Sequence, residues 1–96
     1  MKTSTLIVDS MSEVPIVVQS SRSIQRLFLM EDPSISGWPT TDYLLRMPLS
    51  SDSPIRKPSG IAYKFEGFGR HFKPGDVIGY IRTVTGSTTF QVIEEP

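Results

Sequence analysis

Short runs rich in β-branched and alternating apolar residues, separated by clusters of Pro, Gly, Ser and Asp, dominate this chain and predict strands. Ser4 to Val8 is the first. Val14 to Gln19, with Val14, Ile16, Val17 and Val18, is the second, across the turn-like DSMSE. The two predict an antiparallel pair near the N-terminus, with Pro15 tolerated as a first or edge position. IQRLFLM, residues 24–30, fits two patterns. Ile24, Leu27 and Phe28 suit a helical face capped by Ser21 or Ser23, whereas Leu27 and Leu29 share one face of a strand. The strand is preferred, because the run is shorter than an ordinary helix and stops at Glu31-Asp32-Pro33.

Residues 31–42, EDPSISGWPTTD, carry loop chemistry throughout, as do residues 50–60, SSDSPIRKPSG. Between them Tyr43 to Leu49 suits a strand or one helical turn capped by Thr41 or Asp42, and Pro48 closes it either way. Residues 60–65 alternate Ile61, Tyr63 and Phe65 against Ala62 and Lys64 as a half-buried strand does. KPGD, residues 73–76, predicts a turn with Pro74 presetting the backbone and Gly75 free to take positive φ. A strand over Asp76 to Val84 follows. It sets Val77, Gly79, Ile81 and Thr83 against Ile78, Tyr80, Arg82 and Val84. TGST then turns the chain into Thr88 to Ile93, so that Val84 and Phe90 belong to one hairpin. Six or seven short strands at this spacing predict a mainly β fold, a small antiparallel β-barrel or sandwich with room for one short helix. Residues 1–96 form one β-rich domain on this reading.

The composition narrows the function classes. Ninety-six residues exclude most two-domain enzyme architectures. Without cysteine there is no disulfide, thiolate metal site or thiol nucleophile, and without asparagine no N-glycosylation acceptor. The Leu6-Ile7-Val8 run is too short for a signal-peptide core or a membrane span. A cytoplasmic or virion-associated protein is expected. Net charge is zero, yet Arg56, Lys57, Lys64, Arg70, Lys73 and Arg82 face only Glu66 and Asp76 in the stretch from 54 to 82. That basic segment suits phosphate or an acidic partner, although the whole-domain excess of a strong nucleic-acid binder is missing.

Catalytic candidates are thin. His71 is the only histidine, and no serine lies in a G-x-S-x-G context around which a triad could form. The pairs Glu31-Asp32 and Glu94-Glu95 lack the periodic oxygen ligands of a calcium loop and read as solvated strand ends. No enzyme activity, cofactor, metal or small-molecule substrate is expected.

EGFGRHF, residues 66–72, partly resembles the G-F-G core of the RNP-1 strand of RRM and cold-shock domains, with Glu66 in place of its cation and Arg70 and His71 in place of its aromatic and β-branched residues. That resemblance implies single-stranded nucleic-acid binding. The last 25 residues or so, FKPGDVIGYIRTVTGSTTFQVIEE, resemble the later half of biotinyl and lipoyl carrier domains. This implies a barrel-sandwich topology, with Thr85-Gly86-Ser87 at the hairpin tip where carriers present a lysine.

The leading expectation is therefore a non-catalytic protein interaction or assembly module, a subunit of a homo-oligomer or of a larger particle such as a viral one. Trp38, Tyr43, Phe68 and Phe72 are the expected protein contacts, because loop aromatics carry interface energy. The alternative is a single-stranded nucleic-acid-binding β-barrel using Lys64, Arg70, Lys73, Arg82 and Tyr80 within the basic aromatic segment 63–82.

Overall fold

A computed structural model describes residues 2–32, 42–48, 54–58, 62–66 and 71–96. Eight strands form among them: β1 (Lys2–Asp9), β2 (Val14–Val17), β3 (Arg26–Glu31), β4 (Tyr43–Arg46), β5 (Ile55–Lys57), β6 (Tyr63–Glu66), β7 (Val77–Thr83) and β8 (Ser87–Glu95). The count exceeds the predicted six or seven because β5 lies in the Pro/Ser stretch read as loop. No helix occurs among the described residues, so IQRLFLM takes its strand option.

The strands build two four-stranded antiparallel sheets, ordered β1-β8-β3-β6 and β2-β7-β4-β5, and no closed barrel. The pairs β1·β8, β2·β7, β3·β6 and β4·β5 nest inside one another, as in one long hairpin, while β3·β8 and β4·β7 join the ribbon to itself. Rolling a long hairpin in this way produces a jelly roll. Two expected pairings are thereby corrected. β1 and β2 are not neighbours, and β7 and β8 do not form a hairpin, since each already has two partners in its own sheet. TGST is still a turn, with Gly86 at φ +68° and the Thr83 hydroxyl donating to the Gly86 carbonyl at 2.6 Å, but it hands the chain from one sheet to the other.

Alternation decides what enters the core. Leu27 and Leu29 of β3, Tyr43 and Leu45 of β4, Ile81 of β7 and Phe90 and Val92 of β8 point inward and are buried. β7 departs from strict alternation because the β2·β7 register shifts between Ile16 and Val17. This bulge lets the consecutive residues Ile78 and Gly79 both be buried and leaves Val77 outside. Across the sandwich the Phe65 ring lies over Gly79, where a Cβ would touch it at 3.4 Å. The KPGD turn forms as expected, with Gly75 at φ +85°, the Asp76 N–H donating to the Lys73 carbonyl and the Lys73 N–H to the Asp76 carboxylate.

Inward alternation also buries carboxylates read as solvated. Glu94 follows Phe90 and Val92 inward and is completely buried. Its oxygens accept the Gln19 N–H at 3.0 and 3.1 Å and the Ser20 N–H at 2.9 Å, tying the β2–β3 connection to β8. Glu31 follows Leu27 and Leu29 in the same manner, and Asp32 is buried beside it.

Candidate assembly surface

Of the predicted protein contacts, Trp38 and Phe68 lie outside the described residues, as does Arg70 of the nucleic-acid set. Tyr43 is not a surface residue. It is 1% exposed and packs edge-on to Phe90, ring centroids 5.2 Å apart. Burial, with the charges of Glu31 and Tyr63 as smaller causes, pushes its hydroxyl up to about 12. The expected contact role is corrected, because residue 43 falls on the inward parity of β4. Phe72 is half-buried against the core and exchanges backbone hydrogen bonds with Ile24 at 2.8 and 2.9 Å.

The remaining nucleic-acid candidates do not converge. Lys64 points outward from the β1-β8-β3-β6 sheet and pairs with Glu66 at 3.2 Å. Tyr80 and Arg82 point outward from the other sheet, and Lys73 sits in the exposed turn before β7. The Arg46 guanidinium lies 4.3 Å from the centre of the Tyr80 ring and is held at 2.9 Å by Glu13, whose carboxyl that hydrogen bond lowers below the ordinary value. Arg82 donates to the Ser10 carbonyl at 3.3 Å. Lys64 thus lies on one outer face, and Tyr80 and Arg82 on the other.

Glu31 is the electrostatic anomaly of the interior. Among the described residues neither of its carboxylate oxygens has a hydrogen-bond partner, nor does the hydroxyl of buried Thr88. Burial first, and the Asp42 charge second, raise the Glu31 carboxyl above its ordinary 4.5. Below that value both folded and unfolded chains hold the proton. As pH rises past it the unfolded chain ionises first, so stability falls until the folded carboxyl ionises too. Glu31→Gln is expected to abolish this loss and to raise stability at pH 7 by on the order of 1 kcal/mol, measured by urea unfolding at pH 4 and pH 7. An unchanged difference between the two pH values would show that Glu31 is not its source. Among the described residues no group of three or more His, Cys, Asp or Glu is placed to hold a metal ion.

The edges of the two sheets differ sharply. β2 has four residues, with Pro15 and a register shift against β7; β5 has three; β6 has four, with outward Lys64 and Glu66. Each carries a device that discourages strand addition. β1 has eight residues, no proline, and an unbroken register from Lys2↔Glu94 to Asp9↔Ser87. Among the described residues no strand lies on its other side.

The backbone polarity of that edge follows from its neighbours. The Asp32 N–H donates to the Thr89 carbonyl at 2.8 Å, continuing the β3·β8 ladder, so Thr89 turns its backbone groups toward β3. Antiparallel alternation then turns those of Thr88, Phe90 and Val92 toward β1, opposite Val8, Leu6 and Ser4. The N–H and C=O groups of Thr3, Thr5 and Ile7 therefore point along the open edge. Ile7 is 76% exposed on the outer face. On the inner side a cleft of about 240 Å³ opens between β1 and β2, lined by Ser4, Leu6, Ile16 and Val92 among others. Leu6-Ile7-Val8 was visible in the sequence as an apolar run, but its edge position was not.

No family model matches the chain. No curated protein matches it either. Among solved structures it is similar to the solution NMR structure of a de novo designed double-stranded β-helix, at 14% identity and a TM-score of 0.62, over 99% of this chain and 100% of that one. The likeness shows the fold, in agreement with the strand order. In the described residues no helix is long and apolar enough to cross a membrane.

Proposed function

We propose that the protein is a non-catalytic assembly module that joins a homo-oligomer or a larger particle through an exposed sheet edge. The observation that carries this reading is β1: eight residues, no proline and no bulge, with the backbone groups of every second residue turned to the open side, whereas the other three sheet edges among the described residues are short or interrupted. Unpaired N–H and C=O groups in a regular row are a template for another strand, and natural sheets block such rows unless they are used. Nucleic-acid binding has weaker support, because its described candidate residues are spread over opposite faces.

Absolute molar mass by light scattering across a concentration series tests the proposal. A mass rising to a defined multiple of the chain mass is expected. A strict monomer at every concentration would remove the self-assembly reading.

A further inference from the structure

We infer that the occupant of the open edge is a second copy of β1, paired antiparallel about a two-fold axis at Leu6. This rests on the assembly reading and specifies its surface, partner and register. Two constraints limit the two-fold to positions on a residue of β1, and the contacts of Lys2 then choose among these. The two copies must form one continuous sheet, so outward residues must meet outward residues. The residues with free backbone groups, Thr3, Thr5, Ile7 and Asp9, must meet one another.

Pairing about Leu6 satisfies both. Thr5 then lies opposite the partner's Ile7, Thr3 opposite the partner's Asp9, and Ser4 opposite the partner's Val8. Each of the odd-numbered pairs exchanges two backbone hydrogen bonds. Exposed Ile7 gains a β-branched cross-strand neighbour, and Leu6 meets the partner's Leu6 beside the cleft between β1 and β2. No like charges oppose, since Lys2 falls beyond the paired length. A register centred on Thr5 instead sets the Lys2 ammonium opposite the partner's Val8, a residue with no exposure in its own subunit. The two-fold arrangement closes on itself and removes the open β1 edge from both copies. It yields one eight-stranded sheet ordered β6-β3-β8-β1 and then the same strands reversed.

The natural absence of cysteine allows a direct test. In this register residue 6 faces its own counterpart in a non-hydrogen-bonded pair, where the Cα separation of about 4.5 Å suits a disulfide. Leu6→Cys, oxidised by glutathione disulfide, is expected to become predominantly a covalent dimer on a non-reducing gel. Thr5→Cys is expected to cross-link at least tenfold more slowly. Thr5→Pro removes an N–H that points away from β8, so it is expected to match the unfolding midpoint of wild-type protein diluted to monomer and to abolish the light-scattering dimer. Faster cross-linking of Thr5→Cys than of Leu6→Cys would overturn the register while leaving assembly standing. A folded Thr5→Pro protein that keeps the wild-type oligomeric mass would overturn the β1 interface, again leaving assembly standing. A wild-type monomer throughout would overturn both.

Discussion

Phe90→Ala is expected to destabilise the fold by about 3–5 kcal/mol. Phe90 has no exposure and sits on β8, which is paired on both sides. Its ring meets Tyr43 edge-on across the sandwich, at 5.2 Å and an interplanar angle of 75°. Truncation removes the ring's burial and that aromatic contact together, and the two sheets are too firmly tied by their ladders to collapse into the void. In a domain of this size the total stability is about 5–15 kcal/mol, so the loss is a large fraction of it. The thermal midpoint is expected to fall by roughly 10–25 °C. Phe90→Leu, which restores much of the volume, is expected to cost only about 1–2 kcal/mol. Denaturant unfolding of both variants decides the matter. A cost below 1 kcal/mol for Phe90→Ala would mean that the sheets do not pack against each other at this point.

Glu94→Gln is expected to cost about 2–3 kcal/mol although it changes little in size. The Glu94 carboxylate is fully buried and accepts two consecutive backbone amides, Gln19 at 3.0 and 3.1 Å and Ser20 at 2.9 Å. A glutamine offers one acceptor in place of two, and turns an NH2 donor toward donors. It also gives up the charge that strengthens these bonds. The neighbouring residue is the internal control. Glu95 faces outward and meets Arg26 at 3.7 Å with both side chains partly solvated, a contact worth about 0–1 kcal/mol. Glu95→Gln is therefore expected to be nearly neutral. Equal effects from the two substitutions, measured by urea unfolding under the same conditions, would contradict the burial assigned to Glu94. Because the Gln19 and Ser20 amides belong to the β2–β3 connection, their exchange with deuterium is also expected to accelerate selectively in Glu94→Gln.

The surface assignments depend on the same distinction between adjacent residues. Tyr43 is an aromatic beside a Pro/Gly-rich loop, yet β4 turns it inward. Thr5 and Ile7 carry no functional signature, yet they line the unguarded edge. Trp38, Phe68 and Arg70 fall outside the described residues and contribute to neither conclusion.

The sequence by itself determined that the chain is mainly β, where most strands run, and where it turns: β1, β2, β3, β4, β6, β7 and β8 each overlap a predicted run, and KPGD and TGST are turns with positive-φ glycines. These features are legible because side-chain alternation and turn chemistry are set within a few residues. The tertiary structure alone decided which strands are neighbours, that β7 and β8 lie in different sheets, that β5 forms in a Pro/Ser stretch, and that Glu31 and Glu94 are interior. It also decided that β1 is an open edge. A period-two pattern is compatible with many pairings, and the choice among them rests on contacts between residues as distant as Lys2 and Glu94, whose energy appears only when the whole ribbon has rolled up.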